Sequence, residues 1–234
     1  VTSGNGLYDL NGEKVYRGDN VNNYVQLDNA LFRIVKVTSD NKLLLILNEM
    51  ESNMSTYFDD RYNQDRLSNS GFNDYRISRM YQYLDDLYNN KQDYRLLSSN
   101  DKEKLSTFNL CIGKRNPADT TNNNSIECTD VLENQMIGLL TASDYLNASL
   151  DANCKATTDK SCQNYNYLKL SGTDWWLVTG SSLNSYEVYS VRSSGYLYET
   201  NAAGYKKVRP TIMLNNNVMI KSGSGSEANP FILK

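Results

Sequence analysis

Four cysteines and no histidine limit the chemistry open to this chain. Without imidazole there is no Ser-His-Asp or Cys-His catalytic unit, no histidine metal ligand and no ordinary proton shuttle at neutral pH. Cys111, Cys128, Cys154 and Cys162 are 17, 26 and 8 residues apart. Thiolate zinc sites use closely spaced C-x₂₋₄-C pairs and redox sites use C-x-x-C, and neither spacing occurs. The thiols fall instead around Asn-, Thr-, Ser- and Lys-rich stretches, residues 116–129 and 153–163. An even count there reads as two disulfides stapling long polar loops, which places the chain in an oxidising, extracytoplasmic compartment. Three connectivities are possible. Cys111–Cys128 with Cys154–Cys162 is favoured because each closes one polar loop; the competing reading is four unpaired thiols in a cytosolic protein.

Other reactive groups are sparser. Asp59-Asp60, with Asn63 and Asp65 nearby, offers hard oxygens but not the D-x-D-x-D-G frame of an EF-hand, so it leaves only a generic structural Ca²⁺ site or a solvated acidic turn. Asp85 and Asp86 occupy adjacent helix positions that point apart and so form no facing acid/base pair. Ser222-Gly223-Ser224-Gly225-Ser226 lacks the Gly-Lys-Ser/Thr of a phosphate loop and reads as a turn between the last two strands. The remaining handle is aromatic. Trp175 and Trp176 are adjacent, so in a strand one ring points inward and the other outward. Tyr186, Tyr189, Tyr196, Tyr198 and Tyr205 follow in the same half. An exposed Trp with Tyr196 and Tyr198 makes a candidate platform for a sugar ring or a protein anchor; both tryptophans and most tyrosines as core is the competing reading. Arg33 is expected as an ion-pair partner beside the core, and Arg192 and Arg209 as partners of carboxylates.

The elements that must position these groups follow from patterning. Residues 14–17, 24–27, 30–37 and 42–47 read as a β-meander, with turns at Asp28-Asn29 and Ser39-Asp40-Asn41. In the third strand Leu31, Arg33, Val35 and Val37 share one face and Phe32, Ile34 and Lys36 the other. Apolar residues from Ile77 to Tyr88 recur at three- and four-residue steps, predicting an amphipathic helix over 78–90. Residues 99–105 and 141–146 carry capped helix starts, the second with a Ser or Thr cap before Asp144. Strands return at 175–179, 187–192, 195–198, 208–214, 218–220 and 231–233, with turns at Ser193-Ser194-Gly195 and Asn215-Asn216-Asn217. No break marks a linker, so the expectation is one α+β domain over residues 1–234, with early and late strands in a shared sheet.

Composition narrows the setting. The net charge of −3 carries no basic stripe, which argues against a nucleic-acid partner. No apolar run approaches the length of a membrane span. Abundant Asn with 18 Tyr and 3 Pro suits AT-rich codons and a turn-rich surface protein. Export implies a targeting or anchoring segment outside these residues.

Glu13 to Val25, followed by Leu31-Phe32-Arg33-Ile34-Val35, is similar to a recurring "Y-x-G-x-x-x-N-N-Y-[IV] … [WF]-R-I-[IV]" opening in exported proteins of low-GC Gram-positive bacteria, with Phe32 where Trp is common. Gly138 to Leu146, Asp174-Trp175-Trp176-Leu177, Val208-Arg209-Pro210-Thr211-Ile212-Met213-Leu214 and the ending from Gly223 to Leu233 look like later landmarks of the same family. The resemblance covers the chain end to end. It implies a C-type-lectin-like, formylglycine-enzyme-like fold, in a module that often follows a prepilin-like segment. The catalytic cysteines of formylglycine-generating enzymes fall late in their chains, and here none follows Cys162. The Glu-Pro-Asn and Trp-Asn-Asp triplets of Ca²⁺-dependent sugar-binding lectins are missing too. The resemblance thus implies a non-enzymatic, pilin-like subunit of the cell surface, partnered by other surface or pilus subunits. The alternative is an adhesin or lectin-like module that binds a glycan or host protein. No cofactor is implied.

Overall fold

The computed structural model describes residues 1–28, 30–92 and 94–234. Asn29, in the expected Asp28-Asn29 turn, lies outside them. The first strands are β1 (Gly6–Leu10), β2 (Glu13–Arg17), β3 (Tyr24–Gln26), β4 (Leu31–Val37), β5 (Leu43–Leu47) and β6 (Ser55–Tyr57). The middle of the chain holds α1 (Arg79–Tyr88), α2 (Ser99–Glu103), β7 (Leu105–Ser106), β8 (Phe108–Cys111), β9 (Val131–Gln135) and α3 (Ala142–Ala148). The last part holds β10 (Trp175–Gly180), β11 (Glu187–Val191), β12 (Leu197–Asn201), β13 (Tyr205–Lys207), β14 (Thr211–Leu214), β15 (Ile220–Ser222) and β16 (Phe231–Leu233). This is an α+β architecture dominated by sheet.

Among the described residues, one nine-stranded sheet runs β15-β16-β3-β4-β5-β14-β7, with β2 also paired to β4 and β1 to β2. Early and late strands share it: β14 lies antiparallel to β5, and the C-terminal β16 lies parallel to β3. A five-stranded sheet runs β12-β11-β10-β13-β6, and β8 pairs with β9 as a ribbon. The β1–β2 hairpin turns through Asn11 (φ +53°) and Gly12 (φ +83°), the positive-φ pair that a tight hairpin favours.

Burial explains the strongest strands. Alternate residues of a strand face opposite sides of the sheet. Leu45, Leu47, Trp176, Val178 and Ile212 pack with Phe32 and the buried face of α1 in one core. Leu44, Ile46, Trp175, Leu177 and Met213 pack with Val35 and Tyr145 of α3 in a second. Strands β5, β10 and β14 are therefore clothed on both faces, which is why they read as unbroken apolar runs. Each helix starts on a side-chain cap. Ser78 accepts from the Tyr81 N–H at the start of α1, and Ser98 with Asp101 and Thr141 with Asp144 form capping boxes at α2 and α3.

Alternation fails at one point in β4. A bulge shifts the register from Ile34 opposite Leu45 to Lys36 opposite Leu44. Residues directly opposite one another share a face, so Lys36 joins Val35 on the second-core side instead of pointing with Phe32 and Ile34.

The buried arginines also depart from expectation. Arg33 donates to Asn23 Oδ1 at 2.8 Å and to the carbonyls of Val21 and Tyr167, and lies over the rings of Tyr24 and Tyr167 at 4.1 and 4.6 Å. Arg209 donates to the carbonyls of Leu47 and Leu168 at 2.6 and 2.8 Å and stacks on Trp175 at 5.0 Å. Backbone carbonyls and aromatic faces thus take the place of the expected carboxylates. Burial, reinforced by the nearby Arg33 charge, lowers the Arg209 pKa to about 9.

Candidate functional site

The two stapled loops dominate the site region. Cys111 is bonded to Cys128 and Cys154 to Cys162, which is the favoured connectivity. Inside the first loop Arg115 and Glu127 form an ion pair at 3.0 Å with neither side chain exposed. Arg115 also donates to the carbonyls of Asp119 and Thr121, and Glu127 accepts from the Ser143 N–H and hydroxyl at 3.1 and 2.8 Å. The loop is thereby folded around a charge pair and tied to the first turn of α3. Gly113 permits the approach: a Cβ there would lie 2.6 Å from the Glu127 carbonyl oxygen.

The second loop is tied to the first. Thr157 donates to the Pro117 carbonyl at 3.2 Å, and Asn122 donates to the Lys155 carbonyl at 3.0 Å. Together the loops wall a cleft of about 460 Å³ against β11 and β12. Tyr196 and Tyr198 line it, with Lys160, Glu187 and Glu199 beside them. Tyr198 is 48% exposed and stacks on the Arg192 guanidinium at 4.2 Å, while the Lys160 ammonium lies 5.8 Å from the centre of the Tyr196 ring. Glu199 Oε1 is buried and lacks a hydrogen-bond partner among the described residues. Tyr189 also lines the cleft, where its phenol donates to the Arg115 carbonyl at 3.3 Å and burial raises its pKa. The cleft therefore offers aromatic faces, one buried acceptor and charges of both signs.

The tryptophans do not belong to it. Trp175 and Trp176 are both fully buried, contrary to the expectation that one ring faces outward. Trp175 packs edge-on to Tyr145 in the second core. Trp176 packs edge-on to Phe58 in the first and donates its indole N–H to the Thr56 carbonyl at 3.0 Å. With a core on each side of β10, alternation sends one ring into each. Tyr205 is 64% exposed but stacks on Tyr57 of β6, on the far side of β10 from the cleft strands in sheet order.

No family model, curated protein or solved structure matches the chain.

The oxygen-rich segment after β6 is committed elsewhere. Asp59 is held by Arg61 at 2.6 Å and Asp60 by Arg79, Asn63 donates to the Gly71 carbonyl, and Asp65 accepts from Ser185. Sequence patterning did not reveal Arg115, Glu127, Glu199 or Lys160. They lie in irregular or half-exposed stretches without a period, and only the flanking cysteines signal that the polar loops are structured.

Proposed function

We propose that this chain is a non-enzymatic structural subunit of a cell-surface or pilus-associated assembly, exposed outside a low-GC Gram-positive bacterium. One observation carries the reading: both long polar loops are closed by disulfides and locked to one another, a construction suited to an oxidising exterior. Resemblance at both ends of the sequence supports the same setting and a C-type-lectin-like course of the chain. The outer strand β15 supports assembly. It is exposed throughout, with Ile220, and Met219 just before it, more than half exposed, and an open strand edge is a template for another chain. Antibody raised against the purified domain should label intact cells and material sheared from their surface. Labelling only after the cells are permeabilised would overturn the proposal.

The cleft favours a second reading, in which the chain is an adhesin-like module that engages a host protein or glycan. Aromatic and arginine side chains concentrate binding energy at protein interfaces, and here Tyr198 and Arg192 are stacked on a rigid wall. On glycan and host-protein arrays, the domain should give signals that Tyr198→Ala abolishes. Signals indifferent to that substitution would contradict it.

A further inference from the structure

A second concave surface lies away from the tyrosine cleft. It is a groove of about 660 Å³, within the range of sites that enclose small ligands. Three pieces of chain form its rim: the β1–β2 turn at Asn11, the β4–β5 turn around Ser39, and the β8–β9 ribbon with Asn109 and Asn134. The floor is apolar, with Leu44, Leu110, Leu139 and Met213. Cys111–Cys128 and the start of α3 close the remaining side, bringing Asn123, Asn124 and Asn147 to the wall.

The charges in the groove are already spoken for. The bulge in β4 turns Lys36 toward α3, where its ammonium meets Glu13 at 2.9 Å and Asp144 at 3.2 Å. Lys42 pairs with Asp40 at 3.1 Å. Burial disfavours charge on Lys36, yet Asp144 and Glu13 outweigh it and hold the ammonium in place. Among the described residues, every ionised side chain lining the groove therefore has an internal partner, and none is left unpaired for a charged ligand. What remains on the rim is the side-chain amides of Asn11 and Asn134, each both donor and acceptor, with the amide N–H groups of Asn109 and Asn123 beside them, above an apolar floor flanked by the Phe108 ring; Asn124 is spent on Asp144 and Thr141, and the Asn147 N–H on the Asn122 carbonyl.

We propose that this groove binds an uncharged oligosaccharide, whose hydroxyls match paired amide donors and acceptors and whose C–H faces match the apolar floor. The inference is independent of the tyrosine cleft. Asn11 and Asn134 hold positive φ (+53° and +56°), where glycine is at ease, so Asn11→Gly with Asn134→Gly deletes two rim amides while keeping the backbone. The test is isothermal titration of the intact domain with maltotriose, cellotriose, chitotriose and mannotriose, and with sialyllactose as the anionic probe. The expected result is that at least one neutral trisaccharide binds, that the double glycine variant binds it at least tenfold more weakly with an unchanged melting temperature, and that Asn109→Trp blocks it. Tyr198→Ala should leave this binding unaltered. The proposal is overturned if no neutral trisaccharide binds, if sialyllactose alone binds, or if binding is lost in Tyr198→Ala and kept in the groove variants.

Discussion

Arg115 and Glu127, twelve residues apart, meet at 3.0 Å with no exposed side-chain surface on either, inside the ring closed by Cys111–Cys128. A buried pair of this kind is worth little over an apolar replacement, but breaking it leaves one charge stranded in the interior. Glu127→Ala should therefore destabilise the domain by about 3–5 kcal/mol. Its loss also releases Ser143, so the damage should spread from the loop to α3. Urea unfolding of the variant beside the parent protein checks this, and a change below about 1 kcal/mol would show that the pair is not structural.

The disulfides should contribute unequally. Restricting the unfolded chain predicts about 3 kcal/mol for the 17-residue separation of Cys111–Cys128 and about 2.5 kcal/mol for the 8-residue separation of Cys154–Cys162. Paired Cys→Ala variants, unfolded in denaturant, measure both. Removing Cys154–Cys162 should also raise amide hydrogen exchange in residues 155–161, which form one wall of the tyrosine cleft.

Stability at low pH should depend on Asp144. Burial alone would raise its pKa, but the Lys36 ammonium and hydrogen bonds from Asn124 and Thr141 bring it below the ordinary 3.8. A carboxylate depressed in the folded state contributes stability that is present above its unfolded pKa and lost as pH falls through the folded value. Lys36 has the opposite sign: its raised pKa gives a contribution that is full below 10.5 and lost as pH rises through the folded value. Lys36→Met should strand Asp144 without its cation, so that burial raises its folded pKa: the variant should be less stable than the parent at neutral pH, with the deficit shrinking as pH falls and Asp144 is protonated. A deficit that stays constant or grows on acidification would contradict the coupling.

Both indoles should be silent to solvent. With Trp175 and Trp176 fully buried, native fluorescence should be blue-shifted and nearly immune to acrylamide, becoming quenchable only on unfolding. Ready quenching of one tryptophan in the native protein would restore the outward-facing ring suggested by simple alternation.

Local chemistry was well written in the sequence. The capping box of Thr141 with Asp144, the turn around Asp40 and the pairing of neighbouring cysteines all depend on residues close together in the chain, where side-chain type alone decides the geometry. The β1–β2 hairpin was not read from the sequence: its first strand has little apolar alternation to announce it, although Asn11-Gly12 is a pair that suits the turn. What could not be read depends on what packs from the other side. Trp175 and Trp176 alternate as a strand requires, but only the second core decides that neither ring meets water. Lys36 faces Asp144 because of a bulge, which shifts the pattern by one residue without a sequence marker. The candidate site was half visible: Tyr196 and Tyr198 belong to the cleft, while Glu199 and Lys160 became part of it through the fold of the stapled loops.

The compartment is the claim on which the surface role depends most directly. Protein isolated from its native cells under alkylating conditions should be unfolded without reductant, its free thiols counted and its bridged peptides mapped by mass spectrometry. The account predicts no free thiol, with peptides joined through Cys111–Cys128 and Cys154–Cys162. Four alkylated cysteines would contradict it and return the chain to a reducing interior.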